Sequence, residues 1–168
     1  MMTMGTVAFC VATRFGLGEH VYLIDLALVP KFLLCHYIIG ASYTSSTALI
    51  KISLLLQYLR IYERGTWIYR ITQLLLVLVC LWGFAYSFLS WGCCLPSPSA
   101  FWNLTYKGCY GFASPIAANA IATIESHASV NMALDVVVLT MPVPMLFKKD
   151  TPFKTKMGLL VLLAMGCL

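Results

Sequence analysis

The stretch that decides the fold is residues 71–106, ITQLLLVLVCLWGFAYSFLSWGCCLPSPSAFWNLTY, in which no Asp, Glu, Lys or Arg occurs. The hydrocarbon core of a bilayer is about 30 Å thick, and an apolar helix needs roughly 20 residues to cross it. An uncharged run of this length therefore predicts a transmembrane helix. We place that helix at residues 71–95.

The composition of the whole chain is that of a membrane protein. Hydrophobic residues make up 61% of it and charged residues 10%, whereas about a quarter of the residues of a soluble domain are charged. The mean hydropathy of +0.87 points to the same class. The net charge of +5 does not indicate nucleic-acid binding, because the basic residues lie in short connections between apolar runs instead of on one exposed face.

Four further apolar runs accompany this span. Residues 32–62 and 117–147 are long enough to cross a bilayer, whereas residues 1–13 and 157–168 are about half a span each. The expected fold is an all-α, polytopic transmembrane bundle with about three full spans and two partial ones. We expect residues 1–168 to form a single transmembrane domain that is truncated at both ends.

The distribution of Lys and Arg predicts the orientation, because basic residues near helix ends stay on the cytoplasmic side. Residues 60–70 hold three of them, residues 148–156 hold four, and residues 92–115 hold one. Two spans separate the basic connections, so both face the cytosol if the loop at residues 92–115 lies outside. A plasma membrane or another secretory-pathway membrane is expected. The predicted cytosolic basic residues are Arg60, Arg64, Arg70, Lys148, Lys149, Lys154 and Lys156.

The predicted outer loop carries two further signs of its compartment. Asn103 begins an Asn-Leu-Thr sequon, a glycosylation candidate that is usable only in the secretory lumen. Cys94 and Cys109 bracket the sequon, and a lumenal loop permits a disulfide between them. Cys93 could replace Cys94, because connectivity cannot be deduced from spacing. A chance sequon and two unpaired thiols are the alternatives.

Polar residues recur at helical spacing within two of the spans, which places each set on one helix face. A charged side chain at mid-bilayer costs about 2.5–3.5 kcal/mol, so such residues normally face the interior of a bundle. The predicted intramembrane polar network consists of Lys51, Thr44, Thr47, His127, Asn131 and Asp135.

Lys51 and Asp135 are the pair of this network that we expect to face one another. Each lacks another charged partner at its depth, and an unpaired charge there is expensive. Two interpretations stay open for the pair. One is structural, in which small and polar residues hold the helices together, and the other is a role in ligand sensing or switching.

No catalytic constellation is present in the sequence. There is no nucleophile elbow, no HExxH helix and no paired-carboxylate arrangement. The three histidines are too scattered to form a ligand set, and the cysteines show no metal-ligand spacing. We therefore expect neither an enzyme nor a metal or cofactor.

Several stretches together resemble one known family. Residues 43–62, YTSSTALIKISLLLQYLRIY, resemble the third helix of the fungal rhodopsin-domain family of seven-helix membrane proteins, which includes receptor-like pathogenicity proteins. Residues 141–146, MPVPML, resemble its fifth helix, and residues 154–160, KTKMGLL, the start of its sixth. Residues 16–20, GLGEH, are similar to the turn after its second helix. Its outer loop is matched by Cys94, Pro96, Phe101, Trp102 and Cys109, and its fifth helix also by Asn131 and Asp135.

The resemblance implies a function as well as a fold. It implies a chain that runs from the end of helix two to the start of helix six of a GPCR-like receptor. Such a receptor would sense an extracellular small molecule or surface ligand and act on a cytosolic signalling partner. Relatives encoded beside secondary-metabolite genes imply the alternative of a transporter or membrane-bound accessory component. A non-functional truncated product is the further alternative.

One residue of this chain and one helix of the family bear on what the resemblance implies about charges and cofactors. Gly40 stands where an acidic residue is common in the third helix of the family. A retinal-bearing lysine would belong to the last helix of the family, which the resemblance places outside this chain. No cofactor is therefore expected.

Overall fold

The computed structural model describes residues 2–18, 20, 25, 27–105 and 108–143. Within these residues the chain forms four α-helices and no strands: α1 at Met2–Ala12, α2 at Val29–Ile61, α3 at Trp67–Trp91 and α4 at Ala117–Thr140. Short 3₁₀ turns lie at Thr13–Phe15, Pro98–Ala100 and Gly111–Ala113. The expected all-α helical architecture is confirmed.

Two of the described helices are long and apolar enough to cross a membrane, namely α2 with 33 residues and α3 with 25. Helix α4 has 24 residues, which is also long enough, but its polar residues keep it out of this pair. It occupies the position of the third predicted span. The predicted run at residues 157–168 lies outside the described residues.

The two apolar helices begin earlier than the sequence predicted. Helix α2 starts three residues before residue 32, because Pro30 occupies its first turn, where the missing N–H of proline breaks no helical hydrogen bond. Helix α3 begins at Trp67 instead of residue 71. Thr66 caps it, since its Oγ1 accepts the Tyr69 N–H at 3.3 Å.

The ends of α3 and α4 also differ from the predicted ones. Helix α3 ends at Trp91 instead of residue 95, since the chain beyond Gly92 leaves the helix to pair with the loop. Helix α4 ends at Thr140, two residues before Pro142, which has no N–H to donate. The predicted continuation at residues 144–147 lies outside the described residues.

By its internal contacts the chain divides into two compact units. The first unit comprises Met1–Leu49 and Leu81–His127, and the second comprises Ile50–Cys80 and Ala128–Leu168. The core of the first unit is formed by residues of the outer loop, namely Cys93, Cys94, Ala100 and Ala113. The core of the second unit contains Leu55, Tyr58, Tyr62, Leu75, Val79 and Val138.

Small residues let helices approach closely within the first unit. A Cβ added at Gly83 of α3 would lie 2.6 Å from the Cβ of Ala48 in α2. A Cβ added at Gly5 of α1 would lie 3.3 Å from the Cβ of Ser42. Close backbone approach at glycine and alanine is typical of helix packing in membranes, where burial of apolar surface drives little association.

Candidate functional site

The most informative site of the second unit joins Lys51 of α2 to two residues of α4. The Lys51 Nζ donates to Asn131 Oδ1 at 2.6 Å and lies 3.0 Å from Asp135 Oδ1. Asn131 Nδ2 in turn lies 3.4 Å from Asp135 Oδ2. These three residues form what we call the Lys51 triad. The structure therefore brings together the two charges that the sequence paired.

Helical spacing explains how the triad forms. Asn131 and Asp135 are four residues apart on α4 and lie on the same face of the helix. Leu55 follows Lys51 by one turn, and Val138 follows Asp135 by three residues. Both apolar side chains are buried in the core of the second unit. The triad therefore sits beside an apolar cluster.

The burial of the pair is uneven. The Lys51 side chain is 3% exposed, whereas that of Asp135 is 50% exposed. An ammonium in apolar surroundings needs an anion and further acceptors, which Asp135 and Asn131 supply. Half of the Asp135 side-chain surface remains uncovered by the residues that the structure describes. The arrangement can thus hold two helices together and can also be released.

A second hydrogen bond of the same unit links the end of α2 with the end of α4. Tyr62, the residue after α2, is buried, and its hydroxyl donates to the Met141 carbonyl at 2.9 Å. Burial raises the pKa of Tyr62 to about 12, with a smaller contribution from Tyr58. Tyr62 therefore keeps its proton at physiological pH and remains a donor. The last carbonyls of a helix lack partners within the helix, so Met141 is a natural acceptor.

Two threonines of the predicted network donate their hydroxyl hydrogen bonds to carbonyls of their own helix instead. Thr44 Oγ1 donates to the Ala41 carbonyl at 3.1 Å, and Thr47 Oγ1 to the Thr44 carbonyl at 3.0 Å. Hydroxyl groups in apolar helices commonly bond to a carbonyl of the preceding turn. The predicted polar face of α2 therefore divides, with Lys51 reaching α4 and the threonines bonding within α2.

His127 lies in the first unit, enclosed by aromatic rings. Its ring stacks on Trp82, with centroids 5.1 Å apart and an interplanar angle of 16°. The centroids of Tyr86, Phe112 and Tyr43 lie 4.9, 5.9 and 6.4 Å away. Sequence reasoning missed this cluster, although Trp82 and Tyr86 are one helical turn apart on α3.

The outer loop is closed by a disulfide between Cys94 and Cys109, which are 15 residues apart. Flanking backbone bonds run from Leu95 N to the Gly108 carbonyl at 3.2 Å and from Tyr110 N to the Cys93 carbonyl at 2.8 Å. Cys93 is a free, buried thiol. Of the two pairings left open by the sequence, the structure contains the one with Cys94.

Asn103 is exposed in the turn of this loop, so its side chain is accessible from solution. Its backbone N–H donates to the Ser99 carbonyl at 3.0 Å. Glycosylation of Asn103 stays a prediction.

An aromatic cluster around Tyr37 packs the loop against α2. The Tyr37 ring lies 6.0 Å from Trp91, 6.0 Å from Phe101 and 5.7 Å from Trp102, measured between centroids. Its hydroxyl donates to the Trp91 carbonyl, and Trp91 Nε1 donates to Ser45 Oγ at 3.0 Å. Trp91 and Trp102 therefore pack inward, whereas Trp67 is 75% exposed, as expected for an aromatic belt.

The first basic connection is short and exposed. Arg60 lies in the last turn of α2, Arg64 between the helices and Arg70 in the first turn of α3, and all three are exposed. The second basic connection, with Lys148, Lys149, Lys154 and Lys156, lies outside the described residues.

Apolar helices of membrane length, a lysine buried against an aspartate and a disulfide-closed loop define a polytopic helical membrane protein. A family model described as the fungal rhodopsin domain matches residues 1–168, and the chain belongs to this family. This confirms the family resemblance and the receptor-like membrane class. No curated protein and no solved structure matches the chain. No group of three metal-binding side chains occurs within the described ranges.

Proposed function

We propose that this protein is a GPCR-like membrane receptor for an extracellular cue, in which the Lys51 triad holds one of two packings of α2 and α4. The observation that carries the proposal is the Lys51–Asp135 ion pair, at 3.0 Å between the two helices. Membership of the fungal rhodopsin-domain family supports the receptor class. The proposal involves no catalysed reaction.

A buried ion pair is suited to a switch because it has two distinct states. While it is formed, both charges are compensated, and when one partner leaves, the other must find a new partner or change its protonation. A cue that binds one packing more tightly than the other shifts the population towards it. The half-exposed carboxylate of Asp135 is the accessible side of this pair.

The cytosolic readout is proposed to be the basic connection that begins after Tyr62. The Tyr62 hydroxyl donates to the Met141 carbonyl, so the start of this connection is attached to the end of α4. A repacking of α4 that breaks this bond would change how Arg64 and Arg70 are presented to the cytosol. A small-molecule or surface ligand on the outer side and a cytosolic signalling protein are the proposed partners.

The test measures the packing of α2 and α4 directly. Spin labels at Gln57→Cys and Val137→Cys in the full chain, reconstituted in phosphatidylcholine vesicles, report the distance between the two helices. We expect Asp135→Asn to add a second distance population and Glu125→Gln, at an exposed acid of the same helix, to leave the distribution unchanged. A single unchanged distribution in Asp135→Asn would contradict the switch.

A second measurement separates reception from the alternatives. Proximity labelling from the cytosolic side, in cells with and without Asp135→Asn, is expected to recover a signalling protein whose labelling depends on the variant. Substrate flux in reconstituted vesicles without any variant-dependent partner would favour a transporter. A chain that never reaches a membrane would favour the non-functional product.

A further inference from the structure

We propose that the groove between α1 and α2 binds an anionic phospholipid, with an acyl chain along the groove and the phosphate beside Arg14 and Lys31. The groove has a volume of about 440 Å³, within the range of about 300–1,000 Å³ that ligand pockets occupy. It lies entirely within the first unit. This inference does not depend on the proposed receptor function.

The walls of the groove are suited to hydrocarbon. Its lining includes Met4, Val7, Ala8 and Val11 of α1 and Leu34 and Ile38 of α2. Met4, Val7, Val11 and Leu34 are exposed. An apolar concavity on a membrane-embedded helix pair excludes water, so it is filled by an apolar chain.

Two cations mark one end of the groove. Lys31 precedes Leu34 by three residues and Ile38 by seven, so it lies on the lining face of α2. Arg14 follows Val11 by three residues and continues the lining face of α1. Both cations are exposed.

The position of the Lys31 ammonium brings the two cations to the same end. Its Nζ lies 5.8 Å from the ring centroid of Phe15, the residue next to Arg14. Lys31 therefore reaches from α2 to the chain just after α1. The aliphatic stem of such a lysine lies along apolar surface while its charge remains at the polar end.

Charge complementarity selects the occupant. A phosphate between two cations gains charge-assisted hydrogen bonds, which a sterol or an apolar helix cannot supply. The carboxylate of Asp25, six residues before Lys31, accepts the Ala27 N–H at 3.1 Å and so bonds within its own turn. A lipid with net negative charge fits two cations better than a zwitterionic lipid, whose ammonium offsets its phosphate.

The experiment measures lipid binding to the full chain in phosphatidylcholine nanodiscs. Short-chain phosphatidylserine is titrated, and the bound lipid is counted by native mass spectrometry. We expect the double variant Arg14→Gln/Lys31→Gln to weaken binding about 30-fold. The matched control Arg64→Gln/Arg70→Gln removes the same charge from exposed residues that do not line the groove and is expected to bind as the wild type does.

A groove-filling variant tests the acyl chain separately from the phosphate. Val7 is 62% exposed, so Val7→Phe places a ring in the groove without compressing the core. We expect weaker phosphatidylserine binding although both cations remain. Any of four results would overturn the proposal. Two concern the variants: unchanged binding in Val7→Phe, or an equal loss of binding in the Arg64→Gln/Arg70→Gln control. Two concern the ligand: equal affinity for short-chain phosphatidylcholine, or full competition by inorganic phosphate.

Discussion

At the scale of single residues, Lys51 shows how a charge becomes tolerable inside an apolar helix. Its ammonium is bonded to an amide and a carboxylate on consecutive turns of α4. The sequence predicted the partner Asp135 from depth alone, because no other charge of opposite sign was available nearby. It could not predict how Asn131 bonds to both, since a hydrogen-bond geometry is not contained in residue spacing.

The first prediction concerns the energetic coupling within this pair. Lys51→Ala leaves the Asp135 carboxylate without its cation, and we expect it to lower the free energy of unfolding by about 1–3 kcal/mol, less than for a fully buried pair because Asp135 is half exposed. Asp135→Ala should cost more, because the ammonium that it leaves without an anion is only 3% exposed, and the double variant should cost less than the two single costs combined. Thermal unfolding in detergent measures all three.

The control for this cycle is Glu125→Ala, which removes an exposed acid from the same helix. Its effect should add to that of Lys51→Ala. Strict additivity between the Lys51 and Asp135 substitutions would show that the ion pair contributes no coupling energy.

The second prediction concerns the thiol beside the disulfide. Burial raises the pKa of Cys93, so at neutral pH its thiolate fraction is below that of an ordinary cysteine. We expect a water-soluble maleimide to label Cys93 slowly in the folded protein, faster as the pH rises, and fully after unfolding. Mass spectrometry of the loop peptide measures this rate.

A Ser97→Cys variant supplies the comparison, because Ser97 is exposed in the same loop. It should be labelled rapidly under folded conditions. Equal rates at the two positions would contradict the protection of Cys93 by burial.

At the scale of helices, composition and spacing predicted which segments are helical, and local chemistry decided where they end. The charge-free run from residue 71 led to a start that was four residues late. The helix begins with the threonine cap at Thr66 and includes Arg70 in its first turn. A charged residue in the first turn of a transmembrane helix can lie at the membrane–water interface. A boundary placed by hydropathy alone therefore excludes the first turn of the helix.

The third prediction concerns the packing of α2 against α3 at Gly83. An added Cβ would lie 2.6 Å from the Cβ of Ala48, so Gly83→Ala must push the helices apart. We expect a loss of about 1–3 kcal/mol in the free energy of unfolding, read as a lower unfolding temperature in detergent. Ala48→Gly in the same chain should restore part of it.

Gly40 provides the matched control, because it is also a helical glycine and nothing lies within 4 Å of an added Cβ there. Gly40→Ala should leave stability unchanged or slightly higher, since alanine is the better helix former. An equal loss at both glycines would attribute the effect to glycine itself and not to close packing.

At the scale of the whole molecule, the class of protein was predictable and the grouping of its polar residues was not. Hydropathy and the positive-inside rule use only composition along the chain, so they need no tertiary information. The predicted network combined Lys51 with His127, whereas the structure places His127 among aromatic rings of the first unit. That difference arises because residues four apart on a helix can meet different neighbours at different depths.

The fourth prediction concerns the side of the membrane on which the loop lies. If the loop at residues 92–115 enters the secretory lumen, Asn103 should carry a glycan. Treatment with an N-glycosidase should then increase the mobility of the full-length protein on a denaturing gel. The mobility of Asn103→Gln should be the same before and after treatment.

Lys107 gives a control for this experiment, because Lys107→Gln changes the charge of the same loop and leaves the sequon intact. Its product should shift as the wild type does. A glycan absent from the wild type, together with protease access to this loop from the cytosolic side, would contradict the predicted orientation.

The length of α2 has a consequence for how the helix fits into a bilayer. Its 33 residues extend about 50 Å, well beyond the hydrocarbon thickness of about 30 Å, so the helix must tilt or protrude. Such mismatch is smaller in a thick, sterol-rich bilayer than in the thinner endoplasmic reticulum. A thinner bilayer therefore requires a larger tilt of α2 or a longer protruding end.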